Sequence, residues 1–428
     1  MMEIENQTDQ AIIFLDHNNV NSFRELIKDQ RNVRMHIDDY SYYQAQFIAS
    51  VLQEQTQMEQ YGLLIDAHSL GCADTKAILK AISCLSRLSE LDLQLLNVRE
   101  DSEMTEILQI CQSLSLTLKK LRFLFYHIEI NQQGCEDLKI ALSQLQNVNK
   151  LCIDVSTLKE QYDQNLGIIR AKSIGEGLST LNSLESLELS IAGTNIGSKG
   201  GELLEQNLVK ILLQNQNLKK LKINVHSNQL SDVPIAKITR SIAENAKSLT
   251  QLYLNFSINS LANQGLFQVG KIFNVYQRLK FLELDLMRND FDEHGLSQFF
   301  GALTINSLES LKVSISRVKF NLDVVQQVRN LISNNRSLRI LDIQLSNCYM
   351  DNQSQLFLAK IVIEKSFQVR KFILSGIQLQ FWCQYLRPCI QQCLQQINDL
   401  ANVGLFFSFL CSPEMHYHPN FIFCDLYL

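Results

Sequence analysis

The sequence is poor in the residues that separate domains and in stretches that cross membranes. Only 4 of its 428 residues are proline, and no segment rich in proline, glycine and serine could serve as a linker. The longest apolar stretches, such as "VGLFFSFLC" at 403–411, are much shorter than the roughly 20 residues that span a bilayer. These absences favour a soluble chain without flexible linkers.

Strong charge and export signals are also missing. A net charge of −5 argues against a general binder of polyanions. The start, "MMEIENQTDQ", has neither the basic region of a signal peptide nor the arginines of a mitochondrial presequence. The 11 cysteines form no C-x-x-C pair, as expected of reduced thiols. We predict a cytoplasmic protein, with the cytoskeleton, the cilium or the nucleus as alternatives.

No catalytic signature is present. We find no G-x-S-x-G, no H-E-x-x-H and no protein-kinase motif. Zinc-capable side chains gather near the C-terminus, but their spacing, C-x4-H-x-H-x5-C, fits no common zinc module. A group of cysteines just before them is read as small buried residues. We predict that the protein is not an enzyme and binds no cofactor and no metal. The zinc-capable residues are Cys411, His416, His418 and Cys424, and the cysteines read as buried are Cys383, Cys389 and Cys393.

One phrase recurs along the chain, for example as "LSELDL" at 88, "LESLELSI" at 184 and "LKFLELDL" at 279. Its fourth residue serves as an anchor. The anchors are at 91, 121, 151, 187, 221, 252, 282, 311, 341 and 372, with weaker copies at Val33, Tyr61 and Val403. Each unit opens with alternating apolar residues, typical of a strand, and closes with a helical apolar pattern. A period of roughly 30 residues indicates a solenoid.

This pattern resembles the leucine-rich repeat, in particular the ribonuclease-inhibitor-like class. The resemblance implies an α/β horseshoe of about 12–13 strand–helix repeats, with a parallel sheet on the concave side and helices on the convex side. We expect an N-terminal helical cap (1–31), the repeats (32–376), and a degenerate last repeat with a C-terminal cap (377–428). The 40 glutamines resemble the composition of proteins from ciliates.

The segment "GLFQVGKI" at 265–272 matches most of a phosphate-binding loop, but Ile272 replaces the required Ser or Thr. Gly265 follows its anchor, Leu252, at the same offset as three other glycines follow theirs. We therefore predict that the glycines mark the turn that opens each helix, that 265–272 is helical, and that it binds no nucleotide. The other three are Gly134, Gly200 and Gly295.

The chain departs from the family after the strand. The expected Asn varies in position, and many units add a further apolar residue instead. This predicts longer strands and a less regular turn. The two long units, starting at 151 and 187, should carry insertions, with 159–165 the best candidate. The asparagines are Asn195, Asn228, Asn259, Asn289 and Asn347, and the apolar residues are Ile191, Val225, Phe256, Leu286, Ile315 and Leu345.

Side chains next to the anchors should point away from the core, on the concave face. Their charges alternate in sign: acidic at 90 and 92, basic at 120–150, acidic at 188, basic at 220 and 222, acidic at 283 and 285. Such a face neutralises itself and offers no continuous basic track or aromatic row for nucleic acid. Nucleic acid is thus an unfavoured partner.

One sector differs, because it places large apolar groups beside acids with no expected counter-charge. That composition is typical of a protein-binding hot spot, and a basic, partly apolar partner segment would suit it. We predict a non-enzymatic interaction or scaffold protein, possibly a subunit of a larger assembly. The alternative is an activator of a small GTPase, an activity found in some members of this repeat class, with Arg288 as the arginine to test. The predicted partner-binding residues are Tyr253, Asn255, Phe281, Glu283, Asp285, Ile340 and Asp342.

Overall fold

The structure is a computed structural model that describes residues 11–15, 22–28, 30–37, 42–66, 72–96, 102–126, 130–157, 164–365, 369 and 371–375. By its internal contacts the chain divides into two compact units, residues 1–224 and 225–428. Both are α/β solenoids in which strands and helices alternate. Within the described residues, no helix is both long and apolar enough to cross a membrane.

The first unit contains eight parallel strands, each paired with its neighbour in chain order. The strands are β1 (Ala11–Leu15), β2 (Asn32–Ile37), β3 (Gln60–Asp66), β4 (Glu90–Leu96), β5 (Lys120–Tyr126), β6 (Lys150–Asp154), β7 (Ser186–Ser190) and β8 (Lys220–Asn224). The helices are α1 (Phe23–Ile27), α2 (Tyr42–Gln53), α3 (Cys72–Ile82), α4 (Ser102–Leu114), α5 (Gln132–Ser143), α6 (Gln164–Leu178) and α7 (Gly197–Gln214).

The second unit continues the alternation with five parallel strands, again paired in chain order. The strands are β9 (Gln251–Asn255), β10 (Phe281–Asp285), β11 (Ser310–Ser316), β12 (Ile340–Ser346) and β13 (Lys371–Ser375). The helices are α8 (Asp232–Asn245), α9 (Asn263–Ile272), α10 (Glu293–Ala302), α11 (Leu322–Asn334) and α12 (Asn352–Lys365).

The repeat anchors are in register in both units. Leu91, Leu121 and Leu151 are direct partners on β4, β5 and β6, and Leu252 pairs with Leu282 in the second unit. The two helix positions that recur at fixed offsets from the anchors, one helical turn apart, are also buried: Leu138, Leu204, Val269, Phe299, Leu142, Leu208, Phe273 and Leu303 are at most 1% exposed. The predicted core, with one strand face packed under helices, is confirmed. The other side of the sheet is called the open face below.

Strand β1 lies inside the segment 1–31 that was predicted to be a helical cap, and it pairs with β2 in parallel. That segment therefore contains a strand as well as α1. The boundaries at 31/32 and 376/377 stay predictions, and residues 377–428 lie outside the described residues, as does most of the predicted insertion at 159–165.

The repeat glycines lie within the first turn of their helices and not, as predicted, in the turn that opens them. Gly265 is the third residue of α9, and Gly295 is the third residue of α10. A Cβ on Gly265 would lie 2.3 Å from Oδ1 of Asp232, and one on Gly295 would lie 2.2 Å from Oδ1 of Asn263. Close approach of the preceding helix start, rather than backbone freedom, requires glycine here.

In the repeats from β8 to β12, the turn after the strand is more regular than predicted. The residue six positions after the anchor has a left-handed backbone in five consecutive repeats, with φ between 51° and 61°. In three repeats the next residue is an asparagine; Asn259 donates to the carbonyls of Val225 and Phe256 at 3.0 Å and accepts from the backbone of Asn228 and Leu230. The five left-handed residues are Ser227, Ile258, Arg288, Arg317 and Asn347.

The prediction of longer strands is only partly right. Strands β11 and β12 have seven residues, but β9 and β10 end after five. The next residues, Phe256 and Leu286, are still fully buried, and their N–H groups donate to the following repeat at 2.9 Å. The apolar alternation therefore extends the packed surface and the hydrogen bonding even where the strand itself stops.

Candidate functional site

The predicted partner-binding residues lie on the open face of β9, β10 and β12. Tyr253 and Phe281 come together there, with ring centroids 4.8 Å apart and planes inclined by 32°. Both rings are partly exposed, while the anchors beside them, Leu252 and Leu282, are fully buried. An aromatic pair of this geometry on a sheet surface offers a rigid apolar platform.

Ile340 extends the apolar part of this face. It is 37% exposed and lies in the same row as Phe281, with Ser310 between them. Ser310 is small and 9% exposed, so the row has two large side chains with a low point between.

Lys312 separates the acids that were predicted to lack a counter-charge. It is aligned with Glu283 on one side and Asp342 on the other, and its Nζ forms an ion pair with Oε1 of Glu283 at 2.8 Å. The prediction of unpaired acids is therefore wrong for Glu283. The repeat register, which can be read from the anchor spacing, places Lys312 beside both acids.

The pKa of Lys312 reflects that position. Partial burial lowers the pKa, but the hydrogen bond with Glu283 and the charges of Glu283, Asp342 and Asp285 outweigh it and raise the pKa overall. The open face of β9 to β12 has three carboxylates against one ammonium, a net charge of −2. The sector remains acidic after its internal ion pair is counted.

Asn255 is occupied by the turn that follows its strand. Its Oδ1 accepts hydrogen bonds from the backbone N (3.0 Å) and the Oγ (2.5 Å) of Ser257. The same Oγ lies 2.7 Å from Nδ1 of His226. Asn255 thus stabilises the turn, and His226 and Ser257, which the sequence reading did not single out, belong to this end of the face.

Asp285 lies next to that cluster, and its Oδ1 accepts from the backbone N of Met287 at 3.1 Å. Burial is the largest influence and raises the pKa of its carboxyl, against the opposing effects of the Met287 bond and of His226. The pKa of His226 is lowered, first by burial and also by the charge of Arg288. Burial therefore favours the neutral imidazole of His226.

Arg288 lies in the turn after β10. It is exposed and has a left-handed backbone with φ 53°. Its backbone N donates to Oγ of Ser316 at 2.8 Å. Its guanidinium has no ion pair within the described part of the chain.

On the open face of the first unit, ion pairs link several of the alternating charges across neighbouring repeats. Asp92 pairs with Arg34 at 2.9 Å and with Arg122 at 3.2 Å, and Lys120 pairs with Glu90. Arg34 crosses over Gly62, whose lack of a side chain leaves room on the strand between. These ion pairs offset part of the positive charge of this face, where Lys150 and Lys222 are exposed and form no ion pair within the described residues.

The segment that resembles a phosphate-binding loop and the cysteines and histidines near the C-terminus have different outcomes. The segment 265–272 is helical, as predicted, since it forms most of α9. The cysteines and histidines near the C-terminus lie outside the described residues. Within the described ranges, no group of three or more His, Cys, Asp or Glu side chains could hold a metal ion.

Compared with known proteins, the chain matches no family model and no curated protein. Among solved structures it is similar to one described as the crystal structure of the Rad7 and Elc1 complex in yeast. The sequence identity is 15%, the alignment covers 85% of this chain and 84% of the other, and the TM-score is 0.38.

Proposed function

We propose that the protein is a non-enzymatic interaction or scaffold protein, built from leucine-rich repeats of the ribonuclease-inhibitor-like class, that binds a protein partner on the open face of β9 to β12. The observation that carries this proposal is the Tyr253–Phe281 ring pair, partly exposed on an acidic surface. Aromatic groups on a rigid support, surrounded by charge, are the usual anchors of protein interfaces.

The partner supplies a basic, partly apolar segment. Its apolar side chain covers the ring pair, and a lysine or arginine faces Asp285 and Asp342. Glu283, Asp285 and Asp342 disfavour an acidic partner in this sector, because like charges would be buried together. The Oδ1 atom of Asn255 accepts hydrogen bonds from Ser257, so Asn255 stabilises the turn and contributes little to hydrogen bonding with the partner.

Affinity purification with quantitative mass spectrometry tests this function. Wild type is compared with Tyr253→Ala/Phe281→Ala and with Lys120→Ala/Arg122→Ala, a control that alters the open face of the first unit. We expect a stoichiometric protein partner whose recovery falls only with the ring variant. In a binding assay with that purified partner, each ring change should cost about 1–4 kcal/mol.

Recovery of the chain alone under gentle conditions, at low and at moderate salt, would refute the proposal. Loss of the partner in the Lys120/Arg122 variant, with retention in the ring variant, would place the site in the first unit and would favour an acidic partner.

A further inference from the structure

The turns after β10 and β11 each present an arginine at the same place. Arg288 and Arg317 both lie six residues after their anchors, in consecutive repeats, and both are exposed. The backbone N of Arg288 donates to Oγ of Ser316, the residue just before Arg317. The two arginines are therefore neighbours, on strands spaced about 5 Å apart.

Arginine is a poor choice for these positions on backbone grounds alone. The φ values are 53° for Arg288 and 61° for Arg317, in the left-handed region that favours glycine and asparagine. The same place in other repeats is occupied by Gly193, Ser227, Ile258 and Asn347, so the turn itself does not require an arginine. The backbone gives no reason for arginine at two adjacent, exposed places, so the side chains are the feature that these two turns share.

The surroundings leave both guanidinium groups available. Within the described part of the chain, neither forms an ion pair or a side-chain hydrogen bond. Lys319 adds a third positive charge. Asp285 acts on the same imidazole, that of His226, as Arg288 does, Asp290 follows Arg288 by two residues, and Lys319 is close enough to Asp351 to contribute to the lowering of its pKa. Ser316, 6% exposed, has a hydroxyl whose own hydrogen meets no acceptor among the described residues.

We propose that Arg288 and Arg317 form a phosphate-binding site for a phosphorylated serine or threonine on a protein partner. Two guanidinium groups side by side match the oxygens of a dianionic phosphate, to which each can donate a pair of hydrogen bonds. Ser316 supplies a further donor at the base of the pair.

The position of the pair favours a phosphate attached to a protein. The arginines lie in exposed turns, whereas free small ligands are usually enclosed in a concave pocket. A long nucleic acid is disfavoured, because Asp290, two residues after Arg288, and Asp351, which interacts with Lys319, offset two of the three positive charges. The site does not depend on the ring pair of the open face.

The test uses the full chain and fluorescence anisotropy with a labelled pool of degenerate peptides that carry a central phosphoserine or phosphothreonine. The same pool without phosphate is the reference. We expect tighter binding of the phosphorylated pool by about tenfold or more, and loss of that preference in Arg288→Asn/Arg317→Asn. Asparagine suits the left-handed backbone, so the melting temperature of this variant should be no lower than that of wild type.

Two further variants control the result. Arg278→Asn/Arg336→Asn removes the same charge from exposed arginines that precede β10 and β12, at the opposite ends of the strands, and should keep the preference. Arg288→Lys/Arg317→Lys keeps the charge but loses the forked donors, so affinity should fall by about tenfold. Tyr253→Ala/Phe281→Ala should leave phosphopeptide binding unchanged even if the proposed function fails.

Equal binding of the two pools would overturn the proposal, as would a preference that survives in Arg288→Asn/Arg317→Asn. Competition separates the sources of phosphate: if inorganic phosphate or adenosine monophosphate displaces the peptide at concentrations below those of the unlabelled phosphopeptide, the ligand is a free phosphate compound and not a protein.

Discussion

At the scale of single residues, alternation along a strand separates stability from binding. Leu282 is fully buried and Phe281, its neighbour, is partly exposed on the open face. Leu282→Ala should lower the free energy of unfolding by about 2–5 kcal/mol, since it leaves a cavity in the core. Phe281→Ala should cost only about 1 kcal/mol, chiefly its ring contact with Tyr253.

Urea unfolding of the two variants measures this difference. Equal losses would mean that Phe281 belongs to the core, and the open-face site would lose its main anchor.

Asp285 gives a pH-dependent prediction. Because burial raises the pKa of its carboxyl in the folded state, ionisation of this group opposes folding. The penalty is complete at pH values above the folded pKa and disappears as the pH falls below the unfolded value, near 3.9. Asp285→Asn should therefore stabilise the protein at about pH 7, and the gain should vanish at about pH 3.5.

The comparison uses urea midpoints of wild type and Asp285→Asn at both pH values. A gain that persists at the acidic pH would assign the effect to the new amide donors instead of to the lost charge. Glu283→Gln is the matched control: it breaks the ion pair with Lys312, so no such gain is expected at neutral pH.

At the scale of helices and strands, the starts of neighbouring helices are bonded to each other. Asn263, the first residue of α9, donates to Oδ1 of Asp292 and accepts from its backbone N, both at 2.9 Å. Asp292 in turn caps the first turn of α10. These bonds hold successive repeats at a fixed spacing, and Gly295 lies directly against them.

Gly295→Ala should therefore destabilise the protein. Glycine-to-alanine changes inside helices usually stabilise by about 0.5–1 kcal/mol. At Gly295 the added methyl would lie 2.2 Å from Oδ1 and 2.8 Å from Cα of Asn263, so the bonded helix starts must separate, at a cost of about 1–3 kcal/mol.

Gly301→Ala in the same helix is the control. Its methyl would meet only the flexible end of Gln327, at 3.0 Å, so this change should be neutral or stabilising. Thermal unfolding compares the two variants. A stabilised Gly295→Ala protein would show that the helix starts are not closely interlocked.

The sequence predicted the elements better than their contacts. Anchor spacing located the strands, and the two apolar helix positions at fixed offsets from each anchor located the buried helix face, because both depend on periodic burial. The reason for Gly265 and Gly295 lies in a side chain of the preceding repeat, which periodicity does not reveal. The register does place Lys312 beside Glu283 and Asp342, but which of the two acids it pairs with depends on the conformation of a flexible side chain.

The candidate site shows the same limit. Register placed Tyr253 and Phe281 on adjacent strands, and their ring contact follows from that neighbourhood. The hydrogen bond from the backbone N of Ser257 to Oδ1 of Asn255 could not be predicted. The sequence pattern of an asparagine on a strand face is the same whether its side-chain oxygen binds a partner or the backbone of its own turn.

At the scale of the whole molecule, a repeat chain stabilises itself through contacts between neighbours. In the first unit, β5 pairs only with β4 and β6, and the same order relates the helices behind them. The stability of such an array is close to a sum of repeat terms and neighbour terms, so damage should remain local.

Leu121→Ala tests this property. Leu121 is the β5 anchor and is 2% exposed, so its truncation leaves a cavity between β5 and its helices. Hydrogen exchange followed by mass spectrometry should show faster exchange in β4, β5 and β6, with β8 close to wild type. Arg122→Ala, at the next position on the open face, should leave exchange in these strands nearly unchanged. Faster exchange spread evenly from β2 to β8 would mean that the first unit opens as one cooperative block, and nearest-neighbour coupling would then be the wrong description of its stability.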